Sequence, residues 1–461
     1  MAHDNDTGSG NSADPLPRSQ PRCLRTACLR VCAAIAVAAS ALLVTASPAF
    51  AAPRAARAAV NPWPALPFTA WVRSDYAFVR DKTSHGSKLL ALLRTGDTVT
   101  VSGCAPSCDA PRPWALLAPR GAVPLSELRA GEAPEAAARL GSKAVYFYGR
   151  VPRGSTPVYA APEAKAKVLR RDKAEFRVAF VPNAYLGEQG WLQRPDGGYM
   201  KKTDVKLFTP SVFAGQVDPE LPLAFVRRKV ALRPEGQRKP PKDPALVVWH
   251  NRYDRLKISG IRGDKVSVAG GWLPKGLVRT VTPVQRPKGV ETTGKWLHVE
   301  LGQQVLAAYE GDKMVFATLI SAGKSGRMST RTHTGRFEVY GKTVHSTMRG
   351  KPWDDYYAEE VPHVMHFDGG RAFHGAYWHD QFGIEKSHGC INLSPADAAW
   401  LFRWIPPDTP DGWHNTLPVH WGGPTVAVFV DKPNKRETTP VRLTSAPQPN
   451  VPQAVYRVAR R

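Results

Sequence analysis

One stretch of sequence, near the C-terminal end of the chain, says more than any other about the fold and the chemistry. Residues 363–392 read HVMHFDGGRAFHGAYWHDQFGIEKSHGCIN and hold five histidines and one cysteine. A cysteine attacks as the thiolate, and its ordinary pKa near 8.5 leaves little thiolate at neutral pH. An imidazole within hydrogen-bond reach can accept that proton and later return it to a leaving group. We therefore interpret Cys390 as a nucleophile paired with a histidine.

Gly389, directly before this cysteine, suits the same chemistry. A glycine lets the backbone pass close to a substrate without side-chain hindrance. Its N–H and that of Cys390 would together stabilise the oxyanion of an acyl-transfer intermediate. The motif thus predicts acyl transfer through a cysteine.

The residues before this stretch alternate between apolar and polar side chains, a pattern that predicts β-strands over 296–301, 305–309, 314–320 and 336–340. Glu310-Gly311-Asp312 predicts a hairpin turn between the second and third of these. A helix pattern follows only after Ser394, a good N-cap, with Pro395 at the first helical position. We therefore expect a mainly β chain whose domain at 285–430 has one or two short helices.

Two motifs carry a family resemblance. Phe373-His374-Gly375, followed by Ser387-His388-Gly389-Cys390-Ile391-Asn392, resembles the signature of the L,D-transpeptidase (YkuD) family, and the segment 332–337 resembles its lead-in. The resemblance covers about 285–430 and implies a β-rich catalytic domain. It implies that Cys390 is the nucleophile, that His374 is its base and that the Gly375 carbonyl orients the imidazole.

The resemblance also implies which residues surround the substrate. Three of them would shape the pocket and hold the nucleophile loop: Ser387, His388 and Asn392. A hydroxyl for the substrate or the oxyanion would come from either Tyr356 or Tyr357.

Two features depart from the family pattern. Only 12 residues, 375–386, separate His374 from Ser387, which is short for the family and leaves open the shape of the loop and the roles of Tyr377, Trp378 and His379. Position 392 is Asn where many members have Arg, a difference that bears on substrate contacts.

The implied reaction is peptidoglycan cross-linking without a metal or other cofactor. The Cys390 thiolate would attack the carbonyl of the third residue of a stem tetrapeptide and expel D-alanine. An amine on a neighbouring stem or on a protein would then resolve the thioester. If water resolves it instead, the same site is an L,D-carboxypeptidase. A carbapenem would acylate Cys390 because its strained carbonyl is a similar electrophile.

Several other interpretations stay open. Imidazole and thiolate are zinc ligands, so a zinc site could draw on His363, His366, His374, His379 and Cys390. A papain-like wall amidase also pairs Cys with His, but there the cysteine comes first, whereas here the histidine precedes by 16 positions. A non-catalytic wall-binding protein with a decayed site is the remaining alternative.

Upstream of this domain the chain reads as short strands punctuated by Gly and Pro, after an Ala/Pro/Arg linker at 52–68. Weak internal similarity divides it into units at 69–129, 143–208 and 209–284, each reaching a Trp near a Gly. The units resemble bacterial SH3-like modules, small barrels that often bind cell-wall peptide. Whether they bind wall or only act as spacers stays open.

The N-terminus predicts export. A polar region with four arginines, an apolar run over 31–44 and the small residues Ser47-Pro48-Ala49-Phe50-Ala51 describe a signal peptide at 1–51. The run is shorter than a membrane span needs, so we expect cleavage over retention as an anchor. Three of the six cysteines leave with it. Of the rest, Cys104 and Cys108 are predicted to form a small-loop disulfide, which leaves Cys390 unpaired.

The chain is strongly basic, with 63 Lys and Arg against 39 Asp and Glu and a net charge of +24. Such a charge calls for an anionic partner. Export excludes nucleic acid and favours the carboxylate-rich wall, with the protein in the periplasm or cell wall. We expect the residues from 431 to 461 to form a disordered basic tail and no transmembrane segment to remain after cleavage.

Overall fold

The computed structural model describes residues 63–152, 154–326, 330–350, 355–422 and 425–431. The predicted signal peptide at 1–51, all but the last residues of the linker at 52–68, and the tail beyond residue 431 lie outside the described residues. All described residues belong to one compact unit of the chain.

The first upstream segment is one sheet with the strand order β3-β2-β6-β5-β4-β1-β7. Its strands alternate buried and exposed side chains, as a sheet with one solvated face requires. Within it, the structure joins Cys104 to Cys108 in a disulfide. The strands are β1 (Phe68–Val72), β2 (Tyr76–Arg80), β3 (Leu89–Arg94), β4 (Thr98–Ala105), β5 (Trp114–Ala118), β6 (Ala122–Pro124) and β7 (Leu128–Ala130).

The second segment follows a one-turn helix, α1 (Glu135–Ala138), and contains a second short helix, α2 (Ala184–Glu188). Four of its strands form a separate sheet in the order β10-β9-β13-β12. The seven strands are β8 (Phe147–Arg150), β9 (Thr156–Tyr159), β10 (Val168–Asp172), β11 (Arg177–Phe180), β12 (Trp191–Gln193), β13 (Tyr199–Lys201) and β14 (Lys206–Leu207).

The third segment consists of short strands, all but the first of which form small sheets of two or three. Turn-rich sequence with frequent Gly and Pro accounts for their length. The strands are β15 (Gln216–Val217), β16 (Leu223–Val226), β17 (Val230–Ala231), β18 (Trp249–His250), β19 (Arg255–Lys257), β20 (Gly260–Arg262), β21 (Lys265–Val268), β22 (Gly271–Pro274) and β23 (Val278–Val281).

The C-terminal domain supplies ten further strands and the longest described helix, α3 (Pro395–Trp404). The strands are β24 (Lys295–Glu300), β25 (Val305–Glu310), β26 (Lys313–Leu319), β27 (Gly335–Glu338), β28 (Gly341–Arg349), β29 (Tyr357–Asp368), β30 (Arg371–Gly375), β31 (Ile391–Leu393), β32 (Asn415–Thr416) and β33 (Ala427–Asp431).

The sequence predicts α3 and the hairpin before it well. The Ser394 side chain accepts a hydrogen bond from the Asp397 N–H, and Pro395 occupies the first turn, as expected for this N-cap. Strands β25 and β26 pair on either side of the turn at 310–313. Helix α3 packs its buried face, which includes Leu401, against the core beneath β30 and β31.

Two large sheets cross the boundary between the C-terminal domain and the upstream segments. One has the order β14-β8-β11-β29-β28-β32, with β30 paired to β29 and β31 paired to β30. The other has the order β15-β26-β25-β24-β33-β27. The second segment therefore extends the sheet that carries β29 to β31, and the third segment adds an edge strand to the other sheet.

The hydrophobic cores cross the same boundaries. Trp413 of the C-terminal domain is buried in the core of the first segment. Tyr148 of the second segment packs with Tyr377, and Phe213 of the third segment packs with Phe382. Burial of apolar area at about 25 cal/mol per Å² makes such shared cores a substantial stabilising contribution.

The prediction of a mainly β chain is confirmed. In the described part of the chain, the strand order of none of the three upstream segments closes into a barrel, so the SH3-like assignment and its boundaries stay a prediction. None of the helices in that part combines the length and apolar character needed to cross a membrane.

Candidate active site

The predicted base lies in β30, and the predicted nucleophile lies directly before β31, the strand paired with it. Strands β30 and β31 are parallel, and their register places His374 opposite Asn392. Cys390 lies two residues before Asn392, at the end of the loop that leads into β31. Cys390, His374 and Asn392 all line one cavity of about 1090 Å³.

The Cys390 thiol lines this cavity. It is partly accessible to solvent, and its Sγ lies 3.9 Å from the Gly370 carbonyl oxygen. Burial raises the pKa of the thiol above its ordinary value, against opposing effects of the Ala372 backbone and the Arg371 charge. The resting cysteine is therefore a thiol that needs a base.

The His374 imidazole is buried, and burial lowers its pKa to about 3, although the Gly375 backbone opposes the drop. The ring is thus neutral at physiological pH and able to accept a proton. The Trp378 indole packs 5.6 Å from it, between ring centroids. No hydrogen-bond partner meets its buried Nδ1 among the described residues, so an orienting role of the Gly375 carbonyl stays a prediction.

Hydrogen bonds hold the nucleophile loop from two sides. The Ser387 hydroxyl donates to the Cys390 carbonyl and accepts from the Gly389 N–H at 3.0 Å. The Thr332 hydroxyl donates to the Gly389 carbonyl at 2.8 Å. Because the Gly389 N–H is already bonded to Ser387, the Cys390 N–H is the better candidate oxyanion donor.

Gly389 itself meets a conformational requirement. Its φ of +124° lies in a region that side-chain-bearing residues rarely adopt, and a Cβ there would come within 3.1 Å of the Arg371 Nε. The glycine before the cysteine is therefore fixed by backbone geometry as well as by chemistry.

Asn392 contacts a histidine of the loop between the motifs. Its amide nitrogen position is 2.9 Å from the His379 Nε2, and the His379 Nδ1 accepts from the Gln381 N–H. A neutral imidazole that accepts at Nδ1 carries its proton on Nε2, so the Asn392 amide should be turned to present its oxygen. That orientation also gives a partner to the Asn392 Oδ1, which is otherwise buried without one.

The structure distinguishes between the two candidate tyrosines. Tyr356 lines the cavity, and its ring lies 4.9 Å from that of His388, which also lines it. Tyr357 stacks on Phe176, and its hydroxyl donates to Glu359 at 2.8 Å. Burial raises the pKa of the Tyr357 hydroxyl well above its ordinary value. Tyr356 is thus the one placed to meet a substrate.

The loop between the two motifs is anchored by the third segment. Asp380 accepts hydrogen bonds from Ser211, Arg252 and Tyr253. The Arg279 Nε donates to the Gly383 carbonyl at 2.8 Å. These contacts fix the short loop that the sequence left open, and Trp378 of the same loop lines the cavity.

Strand β29, which pairs with β30, is braced by the other two segments. Arg94 of the first segment forms an ion pair with Glu360 at 2.9 Å. Arg194 of the second segment is fully buried and pairs with Glu359 and with Asp172. Two consecutive carboxylates of one strand are thus each held by an arginine of a different segment.

Sequence reasoning missed two residues of the site. Thr332 appeared only as part of the family lead-in, although it bonds the nucleophile loop. Arg177 of β11 lines the cavity, and its guanidinium lies over the rings of Tyr356 and Trp378, 5.0 and 5.3 Å from their centroids. No local pattern could have found Arg177, since it lies in a different segment.

The residues proposed as zinc ligands are only partly brought together, since His366, His374 and Cys390 line the cavity. His363 packs against the Phe402 ring, whereas His366 lines the cavity near Tyr340. Among the described residues, no three His, Cys, Asp or Glu side chains are grouped so as to hold a metal ion.

Comparison with protein families identifies the C-terminal domain. Residues 294–420 match the family model of the YkuD L,D-transpeptidase catalytic domain. The chain therefore contains an L,D-transpeptidase catalytic domain, which confirms the resemblance seen in its motifs. No curated protein matches the chain.

Solved structures similar to the chain are L,D-transpeptidases. A crystal structure of a mutant Enterococcus faecium L,D-transpeptidase is 26% identical over 30% of this chain and 50% of its own, with a TM-score of 0.24. The chain thus spans about half the length of that relative. The L,D-transpeptidase of Mycobacterium smegmatis is 18% identical over 48% of this chain and 100% of its own, with a TM-score of 0.24. The catalytic domain of the Enterococcus faecium enzyme acylated by ertapenem is 28% identical over 27% of this chain and 95% of its own, with a TM-score of 0.22.

Proposed function

We propose that the protein is an exported peptidoglycan L,D-transpeptidase that works through a cysteine thioester. The observation that carries the proposal is that His374, in β30, and Cys390, directly before the paired strand β31, line one cavity within a domain that matches the family. The donor is a stem tetrapeptide, and the leaving group is its terminal D-alanine.

The first step is a proton transfer coupled to attack. The pKa of Cys390 is raised and that of His374 is lowered to about 3, so the resting pair is a neutral thiol and a neutral imidazole. As the sulfur attacks the carbonyl carbon of the third stem residue, the imidazole takes the thiol proton. The resulting imidazolium is then stabilised by the developing negative charge beside it.

The tetrahedral intermediate carries its charge on oxygen. The Cys390 N–H is the donor that we assign to that oxygen, and the Ser387 and Thr332 hydrogen bonds keep the loop backbone in place for it. Collapse expels the D-alanine amine, which takes the proton from His374. The C–N bond breaks, the thioester remains, and no oxidant or reductant is required.

The second step returns the acyl group to a nucleophile. An amine on a neighbouring stem or on a protein attacks the thioester, and His374 removes the amine proton. Cys390 leaves as the thiolate and takes that proton from His374, which restores the neutral thiol and imidazole. Water in place of the amine would give carboxypeptidase activity at the same site. The outcome depends on how well the cavity excludes water and orients the amine.

The test is mass spectrometry of muropeptides from purified sacculi incubated with the mature protein. Cross-links between third residues, with release of D-alanine, are the expected products. Tripeptide stems without cross-links would show that the protein is an L,D-carboxypeptidase and not a transpeptidase. Unchanged muropeptides together with binding to sacculi would refute the proposed enzymatic activity and favour a non-catalytic wall-binding protein.

A matched variant identifies the nucleophile. Cys390→Ala should abolish both D-alanine release and covalent carbapenem adducts, while the melting curve stays close to that of the wild type. Intact-mass spectra in which wild type and variant are equally acylated would exclude Cys390 as the nucleophile.

A further inference from the structure

The cavity around Cys390 has a one-sided charge. Among the described residues that line it, five carry a positive side chain and one, Asp355, carries a carboxylate, which is paired with Lys173 at 2.8 Å. The positive residues are Arg177, Lys324, Arg349, Arg371 and Lys386. A cavity lined by one sign of charge raises the local concentration of ligands of the opposite sign.

Arg177 differs in its partners from Arg371. Arg349, the third arginine of the cavity, also has no carboxylate partner among the described residues, and its guanidinium lies over the Tyr357 ring, 5.2 Å from the centroid. Arg371 donates to the Asp368 carboxylate and to the Arg331 carbonyl, and is thereby occupied. Within the part of the chain that the structure describes, no carboxylate pairs with Arg177 and no hydrogen bond involves its guanidinium. Its contacts are the faces of the Tyr356 and Trp378 rings.

The two rings lie between this guanidinium and the groups assigned to the reaction. Trp378 is also the ring that packs on His374, and Tyr356 is also the ring that packs near His388. One aromatic ring therefore separates Arg177 from the base, and one separates it from the nucleophile loop. Stacking occupies the faces of a guanidinium and leaves its in-plane N–H groups for a ligand.

We propose that Arg177 binds a carboxylate of the stem-peptide donor, so that the second upstream segment contributes a specificity residue to the active site. The inference rests on the proposed function, which supplies the peptide. A planar guanidinium accepts a carboxylate in a bidentate geometry that a lysine does not reproduce. The carboxylate is either the terminal one or an internal one of the stem, and peptide variants distinguish the two.

The experiment compares Arg177→Gln with the wild type on a synthetic stem tetrapeptide, with D-alanine release as the readout. We expect kcat/KM to fall about 10- to 100-fold, the value of a hydrogen bond to a charged group. Arg177→Lys should recover only part of the loss. Arg171→Gln is the matched control, because Arg171 is exposed on β10 and bonds the Ser155 carbonyl, and it should leave kcat/KM unchanged.

The chemical arm of the experiment removes the carboxylate instead of the arginine. Amidation of the carboxylate that Arg177 binds should lower kcat/KM of the wild type by a similar factor and should have little further effect on Arg177→Gln. Equal additional losses in both proteins, for the terminal and the internal amide alike, would overturn the inference. Alkylation of Cys390 by iodoacetamide at the same rate in wild type and variant shows that the variant is folded with its nucleophile intact.

Loss of the proposed function and loss of the Arg177 role give different results in this assay. A wild type that releases no D-alanine would refute the proposed function. An active wild type whose Arg177→Gln variant keeps its kcat/KM would refute only the role of Arg177.

Discussion

The buried Arg194 ion pair predicts that the second segment and the catalytic strand β29 are strongly coupled. Arg194 is 1% exposed, and it donates to Asp172 at 2.7 Å and to Glu359 on the other side. Burial alone would lower the pKa of Arg194, but the carboxylates of Glu359 and Asp172 outweigh it and raise the pKa. The cation is therefore held by its two partners.

Replacing Arg194 by Met removes the cation and leaves two carboxylates in a largely dry site. Removal of one partner of a buried ion pair costs about 3–5 kcal/mol, because the remaining charge is uncompensated. We expect Arg194→Met to lower the free energy of unfolding by that amount. The triple variant Arg194→Met, Glu359→Gln, Asp172→Asn should regain part of the loss, since it leaves no buried charge.

The control is the same substitution at Arg170, a more exposed arginine that shares the Asp172 carboxylate. Arg170 also contacts Asp172, at 3.2 Å, and pairs with Asp196, but its side chain is 38% exposed. Exposed ion pairs are worth about 0–1 kcal/mol, so Arg170→Met should cost no more than about 1 kcal/mol. Urea unfolding followed by tryptophan fluorescence measures both, and an Arg194→Met cost equal to that of Arg170→Met would refute the reasoning.

Three further predictions concern metal, pH and the loop. D-alanine release should persist in EDTA, and a loss that added zinc restores would revive the metal site. Burial, with the Arg94 charge, lowers the pKa of His414 to about 2, far below the ordinary 6.5. The contribution of the neutral His414 to the free energy of unfolding is therefore fully present above pH 6.5. It is lost as the pH falls toward 2, by about 1.4 kcal/mol per pH unit. His414→Gln should remove that slope from the pH dependence of the free energy of unfolding, measured by urea unfolding. An unchanged pH dependence would contradict the prediction. Asp380→Ala, which frees the loop between the motifs from the third segment, should lower kcat about tenfold while iodoacetamide still alkylates Cys390, and a variant with unchanged kcat would show that the anchor is dispensable.

Features set by neighbouring residues were predictable from the sequence. The Ser394 cap, the hairpin at 310–313 and the strands around it follow from local patterns, and the structure has each of them. The family motifs likewise predicted that Cys390 and His374 act together, and both line one cavity in the structure. In all these cases the decisive contacts lie within a few residues or within one recognisable motif.

Features set by pairing between distant segments were not predictable. Strand β11 meets β29 through a single register pair, Arg177 with Ala358, and no periodicity in either strand specifies the partner. The choice between Tyr356, directly before β29, and Tyr357, its first residue, depends on which side chain the distant segments leave at the cavity. Glu360 and His363 interrupt that strand with positive φ, so simple alternation along it could not settle the question either.

These long-range pairings change how the upstream segments should be understood. As spacers or wall binders, they would fold separately and leave the catalytic sheet complete without them. Instead Tyr148 stacks on Tyr377 at 3.7 Å between ring centroids, and Phe213 packs 6.0 Å from Phe382. Both partners belong to the loop that joins the base to the nucleophile. The second and third segments therefore help to bury the apolar side of that loop, and the second segment also places Arg177 in the cavity.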